Sequence, residues 1–81
     1  MTKIRDSELL ERFGDHLKGI RTGKGLSQEE VAYRADIPIN QVGRIERGEV
    51  NTTVSTLFAL AKGLEVPPAQ LLSFEPSLSQ G

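Results

Sequence analysis

Cysteine is absent from the 81 residues, and with it go disulfides, thiolate nucleophiles and most structural zinc sites. So short a chain without a disulfide framework points to a reducing compartment, and hence to the cytoplasm. There is one histidine, no pair of positioned carboxylates and no cluster of metal-ligand residues. That argues against an enzyme and implies no metal and no cofactor. "GKG" at Gly23 to Gly25 lacks the spacing of a phosphate-binding loop. The opening "MTKIRDSELLERF" holds no apolar run of signal-peptide length, and no stretch approaches a membrane span. Strand alternation, repeats and low-complexity tracts are missing too. A basic excess is also lacking, since the net charge is −1. Nucleic-acid binders usually show such an excess.

What is present is an apolar fraction of 37%, typical of a globular chain. The length allows one small domain over 1–81, of a size for which oligomerisation is a natural supplement. The apolar spacing predicts an all-α chain of five helices. Asp6 or Ser7 caps the first, whose residues Leu10, Phe13, Leu17 and Ile20 recur at three- and four-residue steps. Gly23 and Gly25 end it. "SQEE" reads as a capping box, with Ser27 the cap and Glu30 reaching back. Val31, Ala32 and Ala35 form the inner face of this second helix, which stops near Asp36 because Pro38 disfavours a helical residue before it. Pro38 suits the first turn of the third helix, which carries Val42 and Ile45 inward and ends at Gly48. Thr53 caps a fourth helix with an inward stripe of Val54, Leu57, Leu60, Ala61 and Leu64. Pro67 and Pro68 open a short fifth with Leu71 and Leu72. The ends read as a frayed arm, 1–5, and a tail, "SFEPSLSQG". His16 falls on the polar side of the first helix and reads as a surface residue.

Two helices joined by a few residues, about 27–47, form a helix-turn-helix pattern. Ala32 is small where they would cross, and Asp36 occupies a turn where a left-handed backbone is usual. With Val42 and Ile45 inward, the outward positions of the third helix are Ile39, Asn40, Gly43, Arg44 and Arg47. A recognition helix needs one such face for base edges and another held on a support. Charge is distributed to match. From His16 to Arg47 six basic residues stand against four acidic ones, whereas the rest of the chain has four against seven.

"IRTGKGLSQEEVAYRADIPINQVGRIERG" with "TLFALAKGLEV" resembles the phage-repressor and Cro-type (xenobiotic-response-element) family of helix-turn-helix transcriptional regulators. The likeness covers roughly Phe13 to Leu72 and includes members that control restriction-modification operons. It implies a compact five-helix domain that binds a palindromic operator on double-stranded DNA as a homodimer, at the nucleoid. Carried over by position, Ile39, Asn40 and Arg44 would face bases. Asn pairs with adenine, Arg with guanine, and Ile packs on a thymine methyl. Ser27, Gln28, Arg47, Asn51, Thr52 and Thr53 would approach phosphates, with a base edge the alternative for Gln28. Arg21 and Glu46 match a buried ion pair. The chain departs from the family pattern at Asp36, where glycine is usual, and at Pro38, where a Ser or Thr cap is usual. It departs again at Glu49, an acid beside the phosphate-facing loop. An alternative in the same family is an antitoxin that covers a toxin and regulates its own operon, and RNA polymerase is a further partner the likeness allows.

Phe58 lies off the inward stripe of the fourth helix, and Phe74 and Leu78 lie beyond the last helix. Leu71, Phe74 and Phe58 are therefore expected at the centre of a two-fold interface. The alternative is that Phe74 and Leu78 fold back over the fourth helix and complete the monomer core.

Overall fold

The computed structural model describes residues 6–76. The expected arm, 1–5, and Leu78 lie outside the described residues. Five helices follow in order: α1 (Ser7–Gly23), α2 (Gln28–Ala35), α3 (Ile39–Glu46), α4 (Val54–Leu64) and α5 (Pro68–Leu71). Among the described residues there is no strand, and no helix is long and apolar enough to cross a membrane.

The helix starts are local chemistry. The Asp6 carboxylate accepts from the Leu9 amide, and the Thr53 hydroxyl accepts from the Thr56 amide. At α2 both halves of the capping box form, with the Ser27 hydroxyl accepting from the Glu30 amide at 3.0 Å and the Ser27 amide donating to the Glu30 carboxylate at 2.8 Å. The donated amide, with the Ser27 hydroxyl beside it, holds the Glu30 carboxyl below its ordinary range. Pro38 is the residue before α3 rather than part of its first turn, and it offers no side-chain cap.

The helix ends repeat one device. After each of α1 to α4 a single residue takes the left-handed conformation: Gly25 (φ 71°), Asp36 (59°), Gly48 (75°) and Glu65 (59°). The next amide then donates to the carbonyl five residues back, as Leu26 to Arg21, Ile37 to Ala32, Glu49 to Arg44 and Val66 to Ala61. This closure satisfies carbonyls that the helix leaves without partners. In three of the four, the donating residue is apolar and packs against the core: Leu26, Ile37 and Val66. The fourth is Glu49.

α2 packs against both α3 and α4, while α1 lies across α3 and α5. Leu17, Val31, Val42, Ile45, Leu60, Leu64 and Leu71 are almost fully enclosed, and Phe13 closes the cluster. Two glycines set how closely the helices approach. A side chain on Gly14 would run into the backbone carbonyls of Ile45 and Glu46, so α1 touches α3 through bare backbone. Gly48 combines positive φ with a Cβ position 2.8 Å from the Glu11 Cα, which leaves glycine as the residue for this site.

The packing corrects several expectations. Leu71 is 0% exposed and is part of the monomer core, so it is removed from the interface. Phe74 folds back as the alternative expected, but onto α1: its ring sits 6.0 Å from that of Phe13 and 5.3 Å from that of His16. His16 is accordingly half-buried, with Nε2 2.7 Å from the Gln70 carbonyl oxygen, instead of being a solvated surface residue. Val54 does not join the inward stripe and is 71% exposed. It is the first residue of α4, where the chain is still emerging from the loop. Phe58, one turn on, is also exposed.

Candidate nucleic-acid interface

α2 and α3 are joined by Asp36, Ile37 and Pro38 alone. α3 is held from behind, since Val42 and Ile45 are enclosed and Glu46 is buried. Glu46 accepts from Arg21 through Nε–H at 2.6 Å and Nη2–H at 3.0 Å. It also accepts from the Gln28 side-chain amide at 2.9 Å. Arg21 in turn donates from Nη1 to the Leu26 carbonyl at 2.9 Å. One buried network thus ties α1, the start of α2 and the end of α3 into a rigid corner. Its members satisfy one another, which is the condition under which a buried charge is tolerated.

The opposite side of α3 is open. Ile39, Asn40, Arg44 and Arg47 are exposed together along it. Gly43, expected beside them, is instead buried: a Cβ there would stand 3.0 Å from the Arg47 guanidinium and 3.6 Å from the Gln28 side-chain oxygen. Those two long side chains lie over it, so the face has a shallow floor between its projecting residues. Gln28 is half-buried and anchored to Glu46, so its position is set by the buried network.

Beside α3, the loop into α4 completes a concave surface that joins the polar groups of Asn40, Gln41, Arg44, Asn51, Thr53 and Thr56 to the apolar Pro38 and Val50. Ser27, just before α2, and Asn51, in the loop after α3, are both exposed. Within the loop the three expected residues differ. The Thr52 hydroxyl is buried without a hydrogen-bond partner, so a phosphate contact from this residue must use its backbone. The Thr53 hydroxyl donates to Thr56 Oγ1 at 3.0 Å while accepting from the Thr56 amide. Its one hydrogen is taken up by the cap, and Thr56 becomes the hydroxyl with a hydrogen to offer. Gln41 and Thr56 were not singled out from sequence. Their only signal was adjacency in space to Asn40 and Thr53, which periodicity cannot display.

Among the described residues, no group of three or more His, Cys, Asp or Glu could hold a metal ion. Arg44 and Arg47 both meet Glu49. Arg47 donates through Nε–H at 2.7 Å, and Arg44 Nε stands 3.8 Å from the same carboxylate.

Residues 17–71 match the family described as Helix-turn-helix. The HTH-type transcriptional regulator y4dJ of Sinorhizobium fredii is 38% identical over 60 residues, covering 74% of this chain and 78% of that protein. The control protein C.BamHI of Bacillus amyloliquefaciens is 35% identical over 63 residues, covering 76% and 78%. Among solved structures, the restriction-modification controller protein C.AhdI of Aeromonas hydrophila superposes with a TM-score of 0.75 at 36% identity, over 82% of this chain and 98% of that one. The controller C.Esp1396I, solved as a tetramer on its natural 35 base-pair operator, gives 0.77 at 34% identity, over 83% and 88%.

Proposed function

Because this chain belongs to the helix-turn-helix family of transcriptional regulators, we propose that it is a controller-type regulator that reads a palindromic operator as a dimer. The observation that carries this is α3 itself. One side is locked by Val42, Ile45 and the Arg21–Glu46 pair, and the other presents Ile39, Asn40 and Arg44 to solvent. Locking matters because base readout needs hydrogen-bonding groups held at fixed spacing. Asn40 takes adenine, Arg44 takes guanine and Ile39 takes a thymine methyl. Ser27, Gln28, Arg47, Asn51 and the backbone at Thr52 and Thr53 approach phosphates on either side, joined by the Thr56 hydroxyl. The whole works as a single domain, in the cytoplasm at the nucleoid.

One such helix reads only a few base pairs, so two are needed. Leu9, Val54 and Leu72 are exposed around one apolar hollow, with Phe58 one turn along α4 from Val54. Exposed apolar groups gathered at one end mark an interface, and here they share it with Phe58 and with Phe74, which lines the same hollow, in place of Leu71. A two-fold axis through this end makes the surface self-complementary and the operator an inverted repeat.

The test is selection of bound sequences from a random duplex pool. An enriched inverted repeat with half-site centres about 34 Å apart is expected. A pool that emerges without enrichment rules the reading out.

A further inference from the structure

The closure after α3 differs from its three counterparts in one residue. Leu26, Ile37 and Val66 follow their left-handed residues and turn into the core. Glu49 follows Gly48 and stays exposed, while its amide, 2.9 Å from the Arg44 carbonyl, fixes its place at the end of α3. Its carboxylate lies against both arginines of the reading face. Oε2 accepts from Arg47 Nε–H at 2.7 Å, Oε1 is 3.4 Å from Arg47 Nη2, and Oε1 is 3.8 Å from Arg44 Nε.

We propose that Glu49 is a specificity-determining residue, an internal competitor that occupies Arg44 and Arg47 and that DNA must displace. The inference rests on α3 being the recognition helix, as argued above. To neutralise a phosphate, Arg47 must first give up its 2.7 Å bond to Glu49 and the carboxylate must be left beside the polyanion, which offsets part of the gain from counterion release. On random DNA Arg47 therefore stays largely hydrogen-bonded to the carboxylate, with Arg44 beside it, and the protein's mild local positive charge is reduced where it would otherwise bind anything. A guanine edge offers Arg44 two hydrogen bonds in one plane, which a shared carboxylate at 3.8 Å does not. The operator thus draws Arg44 away and random sequence does not. The hydrogen bond from Arg47 keeps the Glu49 carboxyl below its ordinary range and raises the Arg47 guanidinium above its own, so the pair stays ionised at neutral pH.

The test compares wild type, Glu49→Gln and Glu49→Ser on the duplex that wild type enriches and on a random-sequence duplex of equal length, over a series of salt concentrations. Both variants are expected to bind random duplex severalfold more tightly and the enriched duplex with a smaller gain, so that discrimination falls. On random duplex, the log–log salt slope should steepen by about 0.9 for each arginine released to a phosphate. A purely structural role for Glu49 would leave that slope where it was. Unchanged affinity for random duplex, or equal gains on the two duplexes, overturns the proposal while leaving the regulator reading intact. A wild-type protein that enriches no sequence defeats both.

Discussion

Arg21 and Glu46, 25 positions apart, meet inside the protein through two hydrogen bonds of 2.6 and 3.0 Å, and Gln28 adds a third bond to the same carboxylate. The pair fixes the end of α3 to the first helix. Glu46→Ala leaves the Arg21 guanidinium buried without its counter-ion and cuts Gln28 loose. Removing one partner of a buried pair costs about 3–5 kcal/mol. Thermal unfolding should show a drop of well over ten degrees in Tm, on the scale of about 4–8 °C per kcal/mol for a domain of this size. A Tm equal to that of the parent would show that the network carries no stability.

Asn40→Ala and Arg44→Ala should do the reverse. Both side chains are exposed, and the contact Arg44 makes with Glu49 at 3.8 Å is a surface pair of small worth. Unfolding should stay within about 0.5 kcal/mol of wild type. Binding to the enriched duplex should weaken by roughly 1–3 kcal/mol for each lost base contact. Full affinity in both variants would place the reading face elsewhere.

Gly14 and Gly19 lie in the same helix and should respond with opposite signs. A Cβ at Gly19 meets nothing within 4 Å, whereas at Gly14 it meets the backbone of Ile45 and Glu46. Gly19→Ala should stabilise by about 0.5–1 kcal/mol, since glycine is a poor helix residue. Gly14→Ala must separate α1 from α3, and the overpacking of about 1–3 kcal/mol outweighs the same propensity gain. Denaturant midpoints moving in one direction for both would contradict the close approach.

Glu65 ends α4 with φ at 59°, a conformation that burdens a residue with a Cβ. Its contact with Arg34, 3.7 Å and exposed, returns little. Glu65→Gly should relieve the strain, while the extra freedom of glycine in the unfolded chain offsets part of the gain. A net stabilisation of about 1 kcal/mol or less is expected. Calorimetry showing destabilisation would mean that the Glu65 side chain contributes more than its exposure suggests.

Phe58→Ser tests the dimer surface. Phe58 is exposed in the monomer, so the substitution leaves the core intact. Sedimentation at micromolar concentration should shift from dimer towards monomer, with binding to the inverted repeat weakened and the secondary structure unchanged by circular dichroism. An undisturbed dimer would move the interface away from this end.

The sequence by itself determined the five helices and nearly all their ends. Those signals act across three to five residues: Ser27 with Glu30, Thr53 with Thr56, and the residue after a left-handed one with the carbonyl five places back. Neighbours in the chain are neighbours in space whatever the rest does, so such chemistry is legible in order. The outward face of α3 was legible for the same reason, once Val42 and Ile45 marked its inner side. Burial at the C-terminal end was decided elsewhere. Leu71 and Leu72 are adjacent and equally apolar, yet Leu71 is enclosed and Leu72 is 58% exposed. What separates them is where the faces of distant elements lie, which a local pattern does not contain. Phe74 is covered because Phe13 and His16 arrive from α1. Gly43 is covered because Gln28 and Arg47 cross it. Glu49, an acid out of place when read beside a phosphate-facing loop, acquires a role only when folding sets it against Arg44 and Arg47 together.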